Sequence, residues 1–170
     1  AACVSALMGS LVLDGVTATD CHARSVGGGR VGGAVNAAYA HLGDSTISDS
    51  GVTAVDRNIA AGGGLWAYEA TLVGSTISGN SASAPMAYAY QGYRTAGGGV
   101  YTMGSATLID STISGNIVEA TEPGQDANGG GVAARLGLTV TGSTFSDNTA
   151  DGFGGGAINT FPFYQVLAPN

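Results

Sequence analysis

Two short sequence blocks alternate strictly along this chain, so its fold must hold five copies of each in equivalent places. The first block reads Leu42-Gly-Asp-Ser-Thr-Ile-Ser-Asp-Ser50. It returns as Leu72-Val-Gly-Ser-Thr-Ile-Ser-Gly-Asn80, as Leu108-Ile-Asp-Ser-Thr-Ile-Ser-Gly-Asn116 and as Val140-Thr-Gly-Ser-Thr-Phe-Ser-Asp-Asn148, with an eroded copy at Leu13-Asp-Gly-Val-Thr-Ala-Thr-Asp-Cys21. The second block is a glycine cluster closed by an apolar residue: Gly32 to Val35, Gly62 to Leu65, Gly97 to Val100, Gly129 to Val132 and Gly155 to Ile158. The clusters begin at residues 32, 62, 97, 129 and 155, so the steps between them are 30, 35, 32 and 26 residues. Fixed blocks at variable spacing describe a solenoid whose extra residues leave the stack as loops.

Each block is short, β-branched and rich in Ser and Thr, which is the pattern of a strand and not of a helix. The expected fold is therefore all-β: a right-handed parallel β-helix of about five rungs, near residues 2–31, 32–61, 62–96, 97–128 and 129–160. Residues 1–170 form one domain in this reading, with 161–170 as a partial cap or contact segment. Side chains alternate across a strand. Leu13, Leu42, Leu72, Leu108 and Val140 should then stack as one interior column, and Ala18, Ile47, Ile77, Ile113 and Phe145 as another. Val35, Leu65, Val100, Val132 and Ile158 make a third. Cys21, Ser50, Asn80, Asn116 and Asn148 fall at the following turn, where Asn can satisfy backbone groups that no strand ladder reaches.

Composition narrows the partners. The chain has no Lys, five Arg and 12 acidic residues, for a net charge of −7. No basic stripe is available for phosphates, so nucleic acid is not an expected partner. No apolar run approaches the roughly 20 residues needed to span a bilayer as a helix. The 30 Gly and a charged fraction of 10% suggest disorder, but a hydrophobic fraction of 44% and in-register β-branched positions oppose that reading. The chain begins in mid-pattern, with no initiator Met and no signal peptide. It reads as a mature or excised piece of something longer, from a secreted or cell-surface protein. Cys3 and Cys21 would suit a disulfide in that compartment, and two buried thiols are the alternative.

Ser-Thr-Ile-Ser-Gly-Asn alternating with Gly-Gly-Gly-[Val/Leu] resembles the right-handed parallel β-helix repeats of bacterial secreted and cell-surface proteins. Polymorphic outer-membrane proteins and autotransporter-type passengers carry similar repeats. The resemblance covers about residues 2–160. It implies a fold more strongly than an activity, because such helices serve as adhesins, stalks and polysaccharide-acting enzymes. The glycine clusters of this chain never lead into the Phe-x-x-Asn motif typical of the polymorphic outer-membrane group.

The candidate chemistry is sparse. His22 and His41 occupy different rung positions, so no catalytic triad can be drawn, and Cys and His are too few for a zinc site. No catalytic residue and no cofactor are assigned. Asp44 and Asp110 share a column with Gly15, Gly74 and Gly142, while Asp20, Asp49 and Asp147 share another with Gly79 and Gly115. Stacked carboxylates could bind Ca²⁺ or act on a glycosidic bond. Free exchange between Asp and Gly favours a turn instead.

Three surfaces stand out as candidates for binding. Trp66 and Tyr101 share an outward column beside the glycine clusters, and Tyr88, Tyr90 and Tyr93 lie near Arg94 in the longest insert. Together these six residues suit a carbohydrate or a surface protein, or alternatively cap apolar edges. Thr17, Thr46, Thr76, Thr112 and Thr144 form a file that resembles the ice-binding faces of β-helical antifreeze proteins, although Thr also simply suits an exposed strand. Phe161, Phe163 and Tyr164 follow the last glycine strand as an end contact for self-association. The expected function is an extracellular structural or adhesive module, assembling end to end into a fibre or forming part of a longer surface protein. Carbohydrate binding or degradation stands second and ice binding third.

Overall fold

The apolar residue that closes the glycine block and the leucine of the next block lie on one strand in the early rungs, which gives each rung its longest side. These strands are β1 (Val4–Asp14), β4 (Val35–Gly43) and β7 (Leu65–Val73). Later rungs break the same path into β11 (Val100–Thr102) with β12 (Ser105–Ile109), and β16 (Val132–Ala134) with β17 (Gly137–Thr141), before β20 (Ile158–Thr160). In this computed structural model the chain is an all-β parallel solenoid, described for residues 3–25, 32–55, 60–84, 94–120, 126–151 and 155–160. The expected end-contact residues Phe161, Phe163 and Tyr164 lie outside the described residues, as do Tyr88, Tyr90 and Tyr93.

The Ser-Thr-Ile-Ser core of the other block makes a second sheet: β2 (Thr17–Thr19), β5 (Thr46–Ser48), β8 (Thr76–Ser78), β13 (Thr112–Ser114) and β18 (Thr144–Ser146). A third sheet follows the Asn turn: β3 (His22–Ser25), β6 (Gly51–Ala54), β9 (Ser81–Ser83), β14 (Ile117–Glu119) and β19 (Thr149–Asp151). Two further strands, β10 (Arg94–Ala96) and β15 (Asp126–Asn128), pair beside it. Four pairings join the five strands of the second sheet, from Thr17↔Thr46 to Thr112↔Thr144. The solenoid thus makes about four turns by that count, where five rungs were expected: five stacked copies enclose four steps.

The columns stack as the alternation dictates. Leu13, Leu42, Leu72, Leu108 and Val140 are successive partners, as are Ala18, Ile47, Ile77, Ile113 and Phe145. Ile77 and Ile113 are fully buried, and burial of each such side chain contributes about 1.5–3 kcal/mol. The third sheet has a thinner core of its own, formed by Ala23, Val52, Ala82 and Val118 with Ala54, Ala60, Ala84 and Ala127.

Two kinds of turn close each rung. At the first corner of the leucine block Ser45, Ser75 and Ser111 face inward, each hydroxyl accepting the N–H of the preceding rung's equivalent residue: Val16 to Ser45, Ser45 to Ser75, Ser75 to Ser111. At the second corner Asn takes over. The Asn116 Oδ1 accepts from the Asn80 N–H and from Asn80 Nδ2, both at 3.0 Å. Asn116 Nδ2 donates to Ile77 O and to Asn148 Oδ1, both at 2.9 Å. Buried turn groups that would otherwise lack partners are therefore satisfied by a side-chain ladder. The glycine cluster does two jobs. In the three middle clusters its first residue takes a left-handed conformation, at Gly62, Gly97 and Gly129 with φ 67°, 65° and 61°. Its second, Gly63, has no room for a Cβ, which would strike the backbone oxygens of Gly98 and Ser81.

Candidate functional site

The aspartate columns resolve first, because their backbone is unusual. Asp20, Asp44, Asp49, Asp110 and Asp147 all have φ between 44° and 56°. Their column partners Gly15, Gly74, Gly79, Gly115 and Gly142 share that left-handed conformation, which Gly adopts freely and Asp adopts at modest cost. These positions are the corners after the leucine and after the Ser-Thr-Ile-Ser strand. The column of Gly15, Asp44, Gly74, Asp110 and Gly142 alternates strictly. A Cβ on Gly74 would collide with Asp44 Oδ1, and one on Gly142 with Asp110 Oδ1. Each carboxylate leans over the glycine of the next rung, so carboxylates do not face one another in adjacent rungs of this column. No three of His, Cys, Asp and Glu converge into a metal-holding cluster among the described residues.

Cys3 and Cys21 form a disulfide with Cα atoms 5.7 Å apart. The bridge ties the segment before β1 to the first member of the Asn column.

Trp66 and Tyr101 are partners across β7 and β11, but Tyr101 is only 7% exposed and does not face outward as the alternation suggested. It packs with Ala61, Ala96 and Ala133, and half-buried Trp66 and Met103 close over them. The pairing of β10 with β15, and a bridge between Ala61 and Ala96, build this small apolar layer outside the main stack. Arg94 opens β10. The Trp66 Nε1 is buried with no hydrogen-bond partner among the described residues.

The Thr file is in register from Thr17 to Thr144, on the outer side of the second sheet. Its neighbouring file carries Thr19, then Ser48, Ser78, Ser114 and Ser146, with the Ser48 hydroxyl donating to the Thr19 hydroxyl oxygen at 3.2 Å. His22 and His41 lie on different sheets, on β3 and β4.

One outward surface did not emerge from the sequence. On the first sheet a groove of about 210 Å³ is lined by three residues from each of three rungs: Ser10, Leu11 and Val12, then Tyr39, Ala40 and His41, then Glu69, Ala70 and Thr71. The middle residue of each trio belongs to the inward-facing column of Leu11, Ala40 and Ala70, so backbone forms the floor. One wall is Ser10, Tyr39 and Glu69, and the other is Val12, His41 and Thr71. Tyr39 and Tyr68 stand edge to face with ring centroids 6.3 Å apart and are 51% and 44% exposed. The signal was present: counting back from Leu42 and Leu72 sets Tyr39 beside Glu69 and His41 beside Thr71.

No known protein family, no curated protein and no solved structure matches this chain.

Proposed function

We infer that the chain is an extracellular structural or adhesive β-solenoid module, assembling end to end or forming a stretch of a longer surface protein. The observation that carries this reading is the use of the repeated polar residues. The aspartates hold left-handed corners, and the Ser and Asn columns hydrogen-bond from rung to rung. What the sequence repeats thus serves stacking. The Cys3–Cys21 disulfide suits an oxidising compartment. Among the described residues no helix is long and apolar enough to cross a membrane.

End-to-end association draws support from the open edges. Among the described residues β2 and β3 at one end, and β18 and β19 at the other, have a strand neighbour on one side only. Such edges recruit further strands unless covered, and heterologous contacts of this kind build fibres and not closed rings. The test is biochemical and visual. Protein from its native source, alkylated without reduction, should show no free thiol by mass. Electron microscopy of the oxidised chain should show rods or filaments. Free thiols together with a strictly monomeric chain at milligram concentrations would overturn this reading.

A further inference from the structure

The groove on the first sheet has the makings of a recognition site that the stacking architecture does not require. Its residues are not part of either repeat block. Where Tyr39 stands, the equivalent residues of neighbouring rungs are Ser10 and Glu69, so the aromatic ring is particular to one rung. The sheet also bends here. Between the paired positions Ala37 and Ala40 the chain has two residues, Ala38 and Tyr39, and the next rung has two, Tyr68 and Glu69. The first rung spans the same gap with four residues, Leu7 to Ser10, and the fourth with three, Met103 to Ser105. At the bend, consecutive side chains Tyr68 and Glu69 both face solvent. Gly104 makes room behind them: a Cβ there would stand 2.8 Å from Tyr68 O and 3.1 Å from Glu69 Cγ.

The lining chemistry selects a ligand class. A ring of aromatic carbon offers a flat apolar platform with a polar rim. Glu69 accepts hydrogen bonds, His41 donates or accepts, and the hydroxyls of Ser10 and Thr71 do both. The two walls are set by side chains two residues apart on each strand, about 7 Å, and three rungs extend the groove by about 10 Å. That shape and size accommodate one or two flattened rings of a longer chain running along the solenoid axis. Neither Lys nor Arg lines the groove, Glu69 does, and the chain carries a net charge of −7, so anionic groups are disfavoured.

We propose that this groove binds a flat, neutral glycan chain, with Tyr39 as the stacking platform and Glu69, His41, Ser10 and Thr71 as partners for sugar hydroxyls. The site is independent of end-to-end assembly: the module can be structural without it, and the test reads binding and not filament formation.

Saturation-transfer NMR and calorimetry on the full oxidised chain would use hexasaccharides of β-1,4-linked glucose, mannose and N-acetylglucosamine, with hexagalacturonate as the anionic comparison. At least one neutral hexamer should bind and receive saturation at the ring C–H groups of one sugar face. Tyr39→Ala should weaken binding about tenfold and Glu69→Gln several-fold, while Tyr39→Phe keeps most of the affinity. Melting temperatures should stay unchanged, since both side chains are exposed. The Phe and Gln variants keep the test decisive should Tyr39→Ala disturb the sheet. The proposal is overturned if no neutral hexamer binds, if hexagalacturonate binds as well as the neutral chains, or if affinity ignores both Tyr39 and Glu69.

Discussion

At the scale of single residues, the alternating Gly–Asp column makes an asymmetric prediction. Asp44 and Asp110 already sit at positions where Gly is the easier residue, so Asp44→Gly should change stability by no more than a few tenths of a kcal/mol. Gly74→Asp is different. It keeps a residue type that tolerates φ near 58°, yet it drives a Cβ into Asp44 Oδ1 and stacks three carboxylates at about 4.8 Å spacing. A loss of about 1–3 kcal/mol should appear in urea unfolding, and part of it should be recovered at acid pH or in Asp44→Gly/Gly74→Asp. Equal effects of the two single substitutions would mean the carboxylates do not lean as described. The Asn ladder makes the complementary case. Asn116→Ala would strip partners from the Asn80 N–H and from Ile77 O, both in the interior, and should cost about 2–4 kcal/mol in the same measurement.

The elements of the fold were unequally legible in the sequence, for a physical reason. The first two sheets announce themselves because each strand buries a large branched side chain at a fixed offset: Leu42 with Ile47, Leu72 with Ile77, Leu108 with Ile113. The third sheet was invisible, because its column of Ala23, Val52, Ala82 and Val118 alternates small and medium residues, and strands of three or four residues cannot display a period. Tyr101 misled for a related reason. Alternation places it outward, and no periodicity reveals that Ala61, and Ala96 on β10, pack against it beside its ladder partner Ala133 on β16. The corner role of the aspartates was legible from their exchange with glycine, whereas the residues of the groove at Tyr39 could be aligned by counting back from Leu42 and Leu72 but belong to no repeated block that marks them out. The disulfide belongs to this scale as well. It closes a sequence separation of 18 residues spanning β1 and β2, and chain-entropy arguments give such a loop about 3 kcal/mol. Reduction should lower the denaturant midpoint accordingly, and hydrogen exchange should quicken in β1–β3 well before β8 or β13. Uniform acceleration across the chain would show that the first rung is no separate unit.

For the whole molecule, a solenoid has contacts only between neighbouring rungs, so its stability is a sum of nearly local terms with weak ends. The interior column of Ala18, Ile47, Ile77, Ile113 and Phe145 samples that gradient with one side chain per rung. Ile113 is fully buried with a stacked partner on each side, Ile77 and Phe145. Phe145 is only partly buried and packs on the core from its margin. A charge at Ile113 has no partner in its column and no path to water, so Ile113→Asp should abolish cooperative folding. Phe145→Asp faces a lesser penalty, since the carboxylate can turn towards solvent when the last rung loosens. That variant should keep a cooperative transition, lowered by about 1–3 kcal/mol, with faster hydrogen exchange confined to β17–β19. The comparison tests the register and the one-dimensional energetics together. A folded Ile113→Asp chain would contradict the column, while collapse of the whole domain on Phe145→Asp would show that the final rung is coupled to the rest as in an ordinary globular core.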